Sequence, residues 1–220
     1  MCGDDLPVAL RYSPKSFIKD FREGALPGEE FVENGRDIDE GIEAAILLVE
    51  YGYDALDTDV GSYDSWWWSH PPMYQKKGLY IEYAKLVKDA VDVPIICAGR
   101  MDDADMAAKA VEDGACDIVS LGRPLLAGSD YVNKLKAGKV ESIRPCLSCQ
   151  EGCMGRIQEY SALNCAVTPA CCRERIAPLP PTTTPNTTLS TAGGPAGCAL
   201  DACGGDSAPL PGRTAPTATY

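Results

Sequence analysis

The chain has 220 residues, 45% of them hydrophobic and 24% charged, which suits one globular domain with a small appendage. A net charge of −12 and a pI near 4.5 argue against nucleic acid or an anionic membrane surface as partner. The opening residues Met1-Cys2-Gly3-Asp4-Asp5 carry no secretory leader pattern, and no stretch is long and apolar enough to span a bilayer.

The predicted elements alternate strand and helix. Residues 6–12 form a candidate strand that ends at Ser13-Pro14. Residues 38–51 form the clearest helix, because Ile38, Ile42, Ala45, Ile46 and Val49 recur at helical spacing and Gly52 supplies a stop. Strands follow at 54–59, 94–98 and 117–121, with helices at 79–91, 103–113 and 130–137. Strands separated by helices mean βα units and parallel pairing, in either a doubly wound sheet or a (β/α)8 barrel.

Polar and glycine-rich turns close the predicted strands. Gly99-Arg100 and Gly122-Arg123 end two successive βα units. Glycine lets backbone N–H groups approach a phosphate, and arginine adds a fork of donors. Barrel enzymes place chemistry at this end of the strands, and phosphate sites use their last loops.

Cys146, Cys149, Cys153 and Cys165 follow at C-x2-C-x3-C-x11-C spacing. Three bunched thiolates and a fourth nearby can wrap a [4Fe–4S] cluster. A tetrahedral zinc site is the rival reading. The odd total of 11 cysteines makes a disulfide framework the weaker third. Free thiols and a cluster fit a reducing cytoplasm. After about Arg175 the composition breaks: the last 45 residues hold 8 Pro and 9 Thr but only three charged residues. This tail reads as disordered or aberrant.

Five segments now resemble a known family: ALRYS (9–13), YDALDTDVGSYDSWWWSHPP (53–72), VPIICAGRM (93–101), IVSLGRPLL (118–126) and RPCLSCQEGCMGRI (144–157). They are similar to the FMN- and iron–sulfur-containing branch of the Old Yellow Enzyme family, which includes 2-enoate reductases and 2,4-dienoyl-CoA reductases. The resemblance implies the C-terminal half of a (β/α)8 barrel, about strands 5–8, then a cluster loop and an irregular tail. The implied boundaries are residues 1–143 for the partial FMN-binding barrel, 144–175 for the cluster segment and 176–220 for the tail.

By the same resemblance, Arg11 lies near the flavin's pyrimidine edge, and Gly99, Arg100, Gly122 and Arg123 hold the FMN phosphate. The four cysteines become the [4Fe–4S] ligands, and His70 binds the substrate's carbonyl or carboxylate. Trp66, Trp67 and Trp68 are expected to wall an apolar substrate pocket. The implied reaction reduces the activated C=C bond of a 2-enoate or enoyl-CoA. Electrons come from NADH through FAD in intact relatives.

The likeness has departures. The first half of the barrel, with its protonating tyrosine, has no counterpart here, so a homo-oligomer or a complementing chain is expected to cover the opening. Ala192 replaces the first glycine of the dinucleotide turn at 192–197, so the FAD site is expected to be absent. Thr168 stands where the family more often has Asn before Pro. The alternatives are a catalytically inactive cluster- or zinc-binding fragment and an amine-dehydrogenase-like flavoprotein.

Overall fold

A computed structural model of the chain describes residues 6–175. The tail at 176–220 and its degenerate dinucleotide turn lie outside the described residues. The first strand, β1 (Ala9–Tyr12), leads into a short antiparallel pair, β2 (Ile18–Asp20) and β3 (Glu23–Gly24). Helix α1 (Ile38–Glu50) then returns the chain to β4 (Ala55–Thr58). Two helices, α2 (Trp66–Ser69) and α3 (Ile81–Lys88), precede β5 (Ile95–Cys97). Helix α4 (Ala104–Glu112) connects to β6 (Ile118–Val119), followed by α5 (Arg123–Ala127) and α6 (Tyr131–Lys136).

Strands β1, β4, β5 and β6 form one parallel sheet in that order. Neighbours in space are successive βα strands, with no reversal of strand order. A doubly wound sheet would reverse at a switch point. All four strands and four helices expected from periodicity are present. The hairpin β2–β3, α2 and α5 are additions that short, weakly patterned segments do not reveal.

Local signals explain the helix starts. Asp37 caps α1: its carboxylate accepts from Glu40 N at 2.9 Å, and the Glu40 side chain returns to Asp37 N. Asp103 caps α4 by accepting from Met106 N at 3.1 Å. Gly41 lets α1 lie against the first strand's exit, since a Cβ there would stand 2.7 Å from Pro14 Cα.

The two sheet faces differ. Tyr12, Leu56, Thr58, Ile95 and Cys97 point to the helix side and are buried. Alternation sends Arg11, Asp57, Ile96 and Ile118 to the other side. Arg11 and Ile118 on that side are exposed, and Asp57 and Ile96 only partly buried. The core therefore lies between the sheet and its helices. Burying a side chain such as Leu56 or Ile95 there contributes about 2 kcal/mol.

Candidate functional site

The C-terminal ends of β1, β5 and β6 open onto a cavity of about 190 Å³. Arg11, His70, Gly99, Arg100, Gly122 and Arg123, all six of the residues predicted from sequence for flavin and substrate, line it. They come from positions up to 112 residues apart (11 to 123).

Arg11 projects from β1 on the open side of the sheet. Its Nε and NH2 both donate to Asp59 Oδ2, at 2.9 and 2.7 Å, and its NH1 donates to Asp57 Oδ2 at 3.2 Å. Burial alone would lower the pKa of the guanidinium, but Asp59 and then Asp57 outweigh it and raise that pKa. Burial raises the pKa of Asp57, with Arg11 pulling it down and Asp59 pushing it up. A fixed cation thus stands at the cavity edge.

Gly99 and Gly122 differ in what requires them. Gly99 has φ +86°, and a Cβ there would lie 2.5 Å from Cγ of the Tyr80 ring. Only glycine fits that turn. Gly122 has nothing within 4 Å of an added Cβ, so its backbone faces open space that a ligand can enter. Arg123 NH1 is buried without a partner beside it. Arg100 is more committed: its NH1 donates to the carbonyls of Pro72, Met73 and Gln75, while its Nε is buried and unpaired.

Tyr80 links the two sides of the cavity. Its hydroxyl is shared between the carbonyls of Trp68 and Ser69, at 2.6 and 2.9 Å. Burial first, then the charge of Asp59, drives its pKa far above the ordinary tyrosine range. His70 follows α2 directly. Its ring stacks on Trp66 with centroids 3.9 Å apart, and Gln150 Nε2 donates to its backbone carbonyl. Burial lowers the His70 pKa; Asp59 opposes this, and Arg123 and Arg11 reinforce it. Burial and the two arginines thus favour the neutral ring.

The three tryptophans correct the expectation of a shared pocket wall, because none of them lines the cavity. Trp68 is buried and stacks face to face on Phe17 at 3.7 Å. Trp67 and Trp68 both donate through Nε1 to Ala25 O at 2.8 Å. The Trp66 ring instead packs on that of His70. Adjacent helical residues point about 100° apart, so consecutive identical side chains meet different surroundings.

A second, smaller cavity of about 20 Å³ is lined by Cys146, Cys149, Cys153 and Cys165. All four thiols are free and partly buried. Ser148 and Gln150 take left-handed φ values of 51° and 64°, which turn the chain between the cysteines. Gly152 packs on Asn164, whose N donates to Gly152 O at 2.7 Å, and this draws Cys153 toward Cys165. Thr168 Oγ1 accepts from Arg144 NH1 at 3.1 Å and donates to Ala127 O. Threonine at 168 thus closes both ends of the segment onto α5. Sequence reasoning missed Gln150, Asn164 and Tyr80, although Gly152 inside the cysteine run signalled a close approach.

Arg123, Cys146 and Ser148 line both cavities. Among the described residues, no three His, Cys, Asp or Glu converge to hold a metal ion.

The sequence profile of the NADH:flavin oxidoreductase / NADH oxidase family matches residues 23–141. The chain belongs to this family. Among similar proteins is a cinnamate reductase of Clostridium sporogenes, 62% identical over 174 residues, covering 79% of this chain and 26% of that protein. An NADH oxidase of Thermoanaerobacter brockii is 31% identical over 175 residues, covering 79% and 25%. The solved structure of a 2-naphthoyl-CoA reductase with 2-naphthoyl-CoA matches with a TM-score of 0.65 and 26% identity, over 77% of this chain and 24% of that one. The chain spans about a quarter of the length of these relatives. The resemblance read from the motifs is borne out at the level of the family.

Proposed function

We propose that the chain is the FMN-binding, substrate-reducing portion of an enoate reductase that acts on the activated C=C bond of 2-enoates or enoyl thioesters, with electrons from NADH. The observation that carries this reading is one cavity at the strand ends that gathers Arg11, His70, Gly99, Arg100, Gly122 and Arg123. The 62% identity to a cinnamate reductase favours an enoate as substrate.

The residues present fit FMN. The open backbone at Gly122, the turn at Gly99 and the unpaired NH1 of Arg123 suit a phosphate. Arg11 would hold positive charge beside the flavin's pyrimidine edge, kept in place by Asp57 and Asp59. When bound, FMN supplies the hydride for the β-carbon of the alkene. His70 orients the substrate through its carbonyl or carboxylate, and its stack on Trp66 fixes the ring plane.

Cys146, Cys149, Cys153 and Cys165 are proposed to hold the [4Fe–4S] cluster. All four thiols line one cavity, and three of them are bunched within eight residues, a spacing that suits a polynuclear cluster better than a single zinc ion. The shared wall through Arg123 and Cys146 supports electron passage between the two sites. FAD and NAD(H) belong to the remainder of intact relatives.

The sheet is read as strands 5–8 of a (β/α)8 barrel, with residues 1–143 as the partial barrel and 144–175 as the cluster segment. Successive parallel strands and the uncovered face carrying Arg11, Asp57, Ile96 and Ile118 support this. A second copy or a complementing chain would cover that face. Thiols kept free for a cluster suit the cytoplasm. No described helix is long and apolar enough to cross a membrane.

The test is iron, acid-labile sulfide and flavin content after anaerobic purification, then reoxidation of the chemically reduced protein by cinnamate. Iron and sulfide near ~4 each, bound FMN and cinnamate-dependent reoxidation are expected. Zinc alone, or reoxidation only by unrelated acceptors, refutes the reading.

A further inference from the structure

The hydroxyl of Ser69 sits among three acceptor-capable atoms. Its Oγ lies 2.9 Å from His70 Nδ1, 3.2 Å from Ser62 O and 3.3 Å from Trp66 O. A serine hydroxyl has one proton to donate, and carbonyl oxygens can only accept. If that proton went to Nδ1, the lone pairs of Oγ would face two carbonyl oxygens. With the proton on the carbonyl side, Oγ accepts from Nδ1–H, and every group in the cluster is satisfied. A half-turn of the ring would set Cδ2 in place of Nδ1 and forfeit the hydrogen bond to Ser69, so the bond itself fixes which edge faces Oγ, while the stack on Trp66 fixes the ring plane. Nε2 makes no hydrogen bond among the described residues, and His70 lines the main cavity.

We infer that Ser69 holds the neutral ring of His70 as the Nδ1–H tautomer, leaving Nε2 to the cavity as a proton acceptor, so that the group bound there is a free carboxylate taken up with one proton. This rests on the enoate-reductase reading and narrows its substrate class to acids over thioesters and esters. An unprotonated Nε2 has no hydrogen to offer a neutral carbonyl. Proton uptake from solvent forms one N–H bond at Nε2 and makes an imidazolium. Its charge-assisted hydrogen bond to a carboxylate is roughly twice as strong as a neutral one.

The groups facing the ring are Asp59 beyond β4, Arg11 from β1 and Arg123 from α5. Tyr80, at the start of α3, is buried and neutral and holds the Ser69 carbonyl. The two arginines oppose an imidazolium. An entering carboxylate offsets them, which couples its binding to the proton. Ser69 is a positioning residue in this scheme.

His70 is the sole histidine of the chain, so its ring nitrogens can be read directly by nitrogen-15 NMR. At mildly alkaline pH the labelled protein should show a pyridine-type Nε2 and a pyrrole-type Nδ1; the reverse pattern overturns the inference. Ser69→Ala should move the ring toward Nε2–H, and Ser69→Thr should restore it. Cinnamate added to the FMN-saturated chain at neutral pH should protonate both nitrogens, and cinnamamide should leave the ring neutral. A cinnamate response without ring protonation overturns the carboxylate assignment. No response to cinnamate, with the tautomer as expected, overturns the enoate reading while the tautomer assignment stands on its own spectrum.

Discussion

Arg11 and Asp59 form a two-nitrogen, one-oxygen clamp, with Nε and NH2 of the guanidinium both on Oδ2 at 2.9 and 2.7 Å. The carboxylate aims the arginine along the strand ends and toward the cavity. Asp59→Asn keeps the shape but removes the charge. A hydrogen bond to a charged group contributes about 1.5–3 kcal/mol, so FMN affinity is expected to fall roughly 10- to 100-fold. Flavin fluorescence titration measures this; unchanged affinity would mean that Arg11 does not meet the flavin.

Gly99→Ala tests the turn beneath the phosphate loop. The new Cβ would stand 2.5 Å from the Tyr80 ring in a backbone with φ +86°. Strain of this kind costs about 1–3 kcal/mol, read as a lower denaturant midpoint. Gly122→Ala meets no atom within 4 Å, so stability should hold while flavin binding weakens.

Replacing any one of Cys146, Cys149, Cys153 or Cys165 with serine should abolish stoichiometric iron and sulfide. Cys172→Ser, at an exposed position outside the second cavity, should retain both. Elemental analysis and visible absorption distinguish these outcomes. Iron retained in all four single variants would remove the cluster assignment.

His70 supplies a pH dependence whose sign follows from its lowered pKa. Between the unfolded value of about 6.5 and the lower folded value, the unfolded chain binds more protons. The stability contribution is therefore full above about 6.5 and is lost as pH falls toward and through the folded pKa. Urea midpoints across this window should drop with acid in the wild type, and His70→Gln should flatten the slope attributable to this ring. An equal slope in the variant would show that the ring titrates normally.

Trp68→Ala should cost about 3–5 kcal/mol, because it removes the buried partner of Phe17 and a hydrogen bond to Ala25. Trp66→Leu should leave thermal stability nearly unchanged yet broaden the His70 ring resonances, since Trp66 packs on that ring.

The β/α alternation was legible because it is local. Helical recurrence along residues 38–51 and short apolar runs such as 94–98 report burial without knowledge of any partner. The cysteine spacing and the paired Gly-Arg turns were legible for a similar reason, because few chemistries need those residue types so close together. Whether Trp66, Trp67 and Trp68 faced substrate or core was not legible. All three are equally apolar, and only packing against Phe17, Ala25 and His70 separates them.

The chain's order of residues by itself determined the strands, the helices, the thiol set and the positions of the site residues along the chain. The tertiary structure alone decided that Arg11 is aimed by Asp59, that Arg100 is committed to the 72–75 loop and that Ser69 reaches the His70 ring. It also set Arg123 and Cys146 in the wall between the two cavities. Propensity and periodicity depend on neighbours a few residues away. These relationships depend on distances across the sheet, between residues that no local pattern ties together.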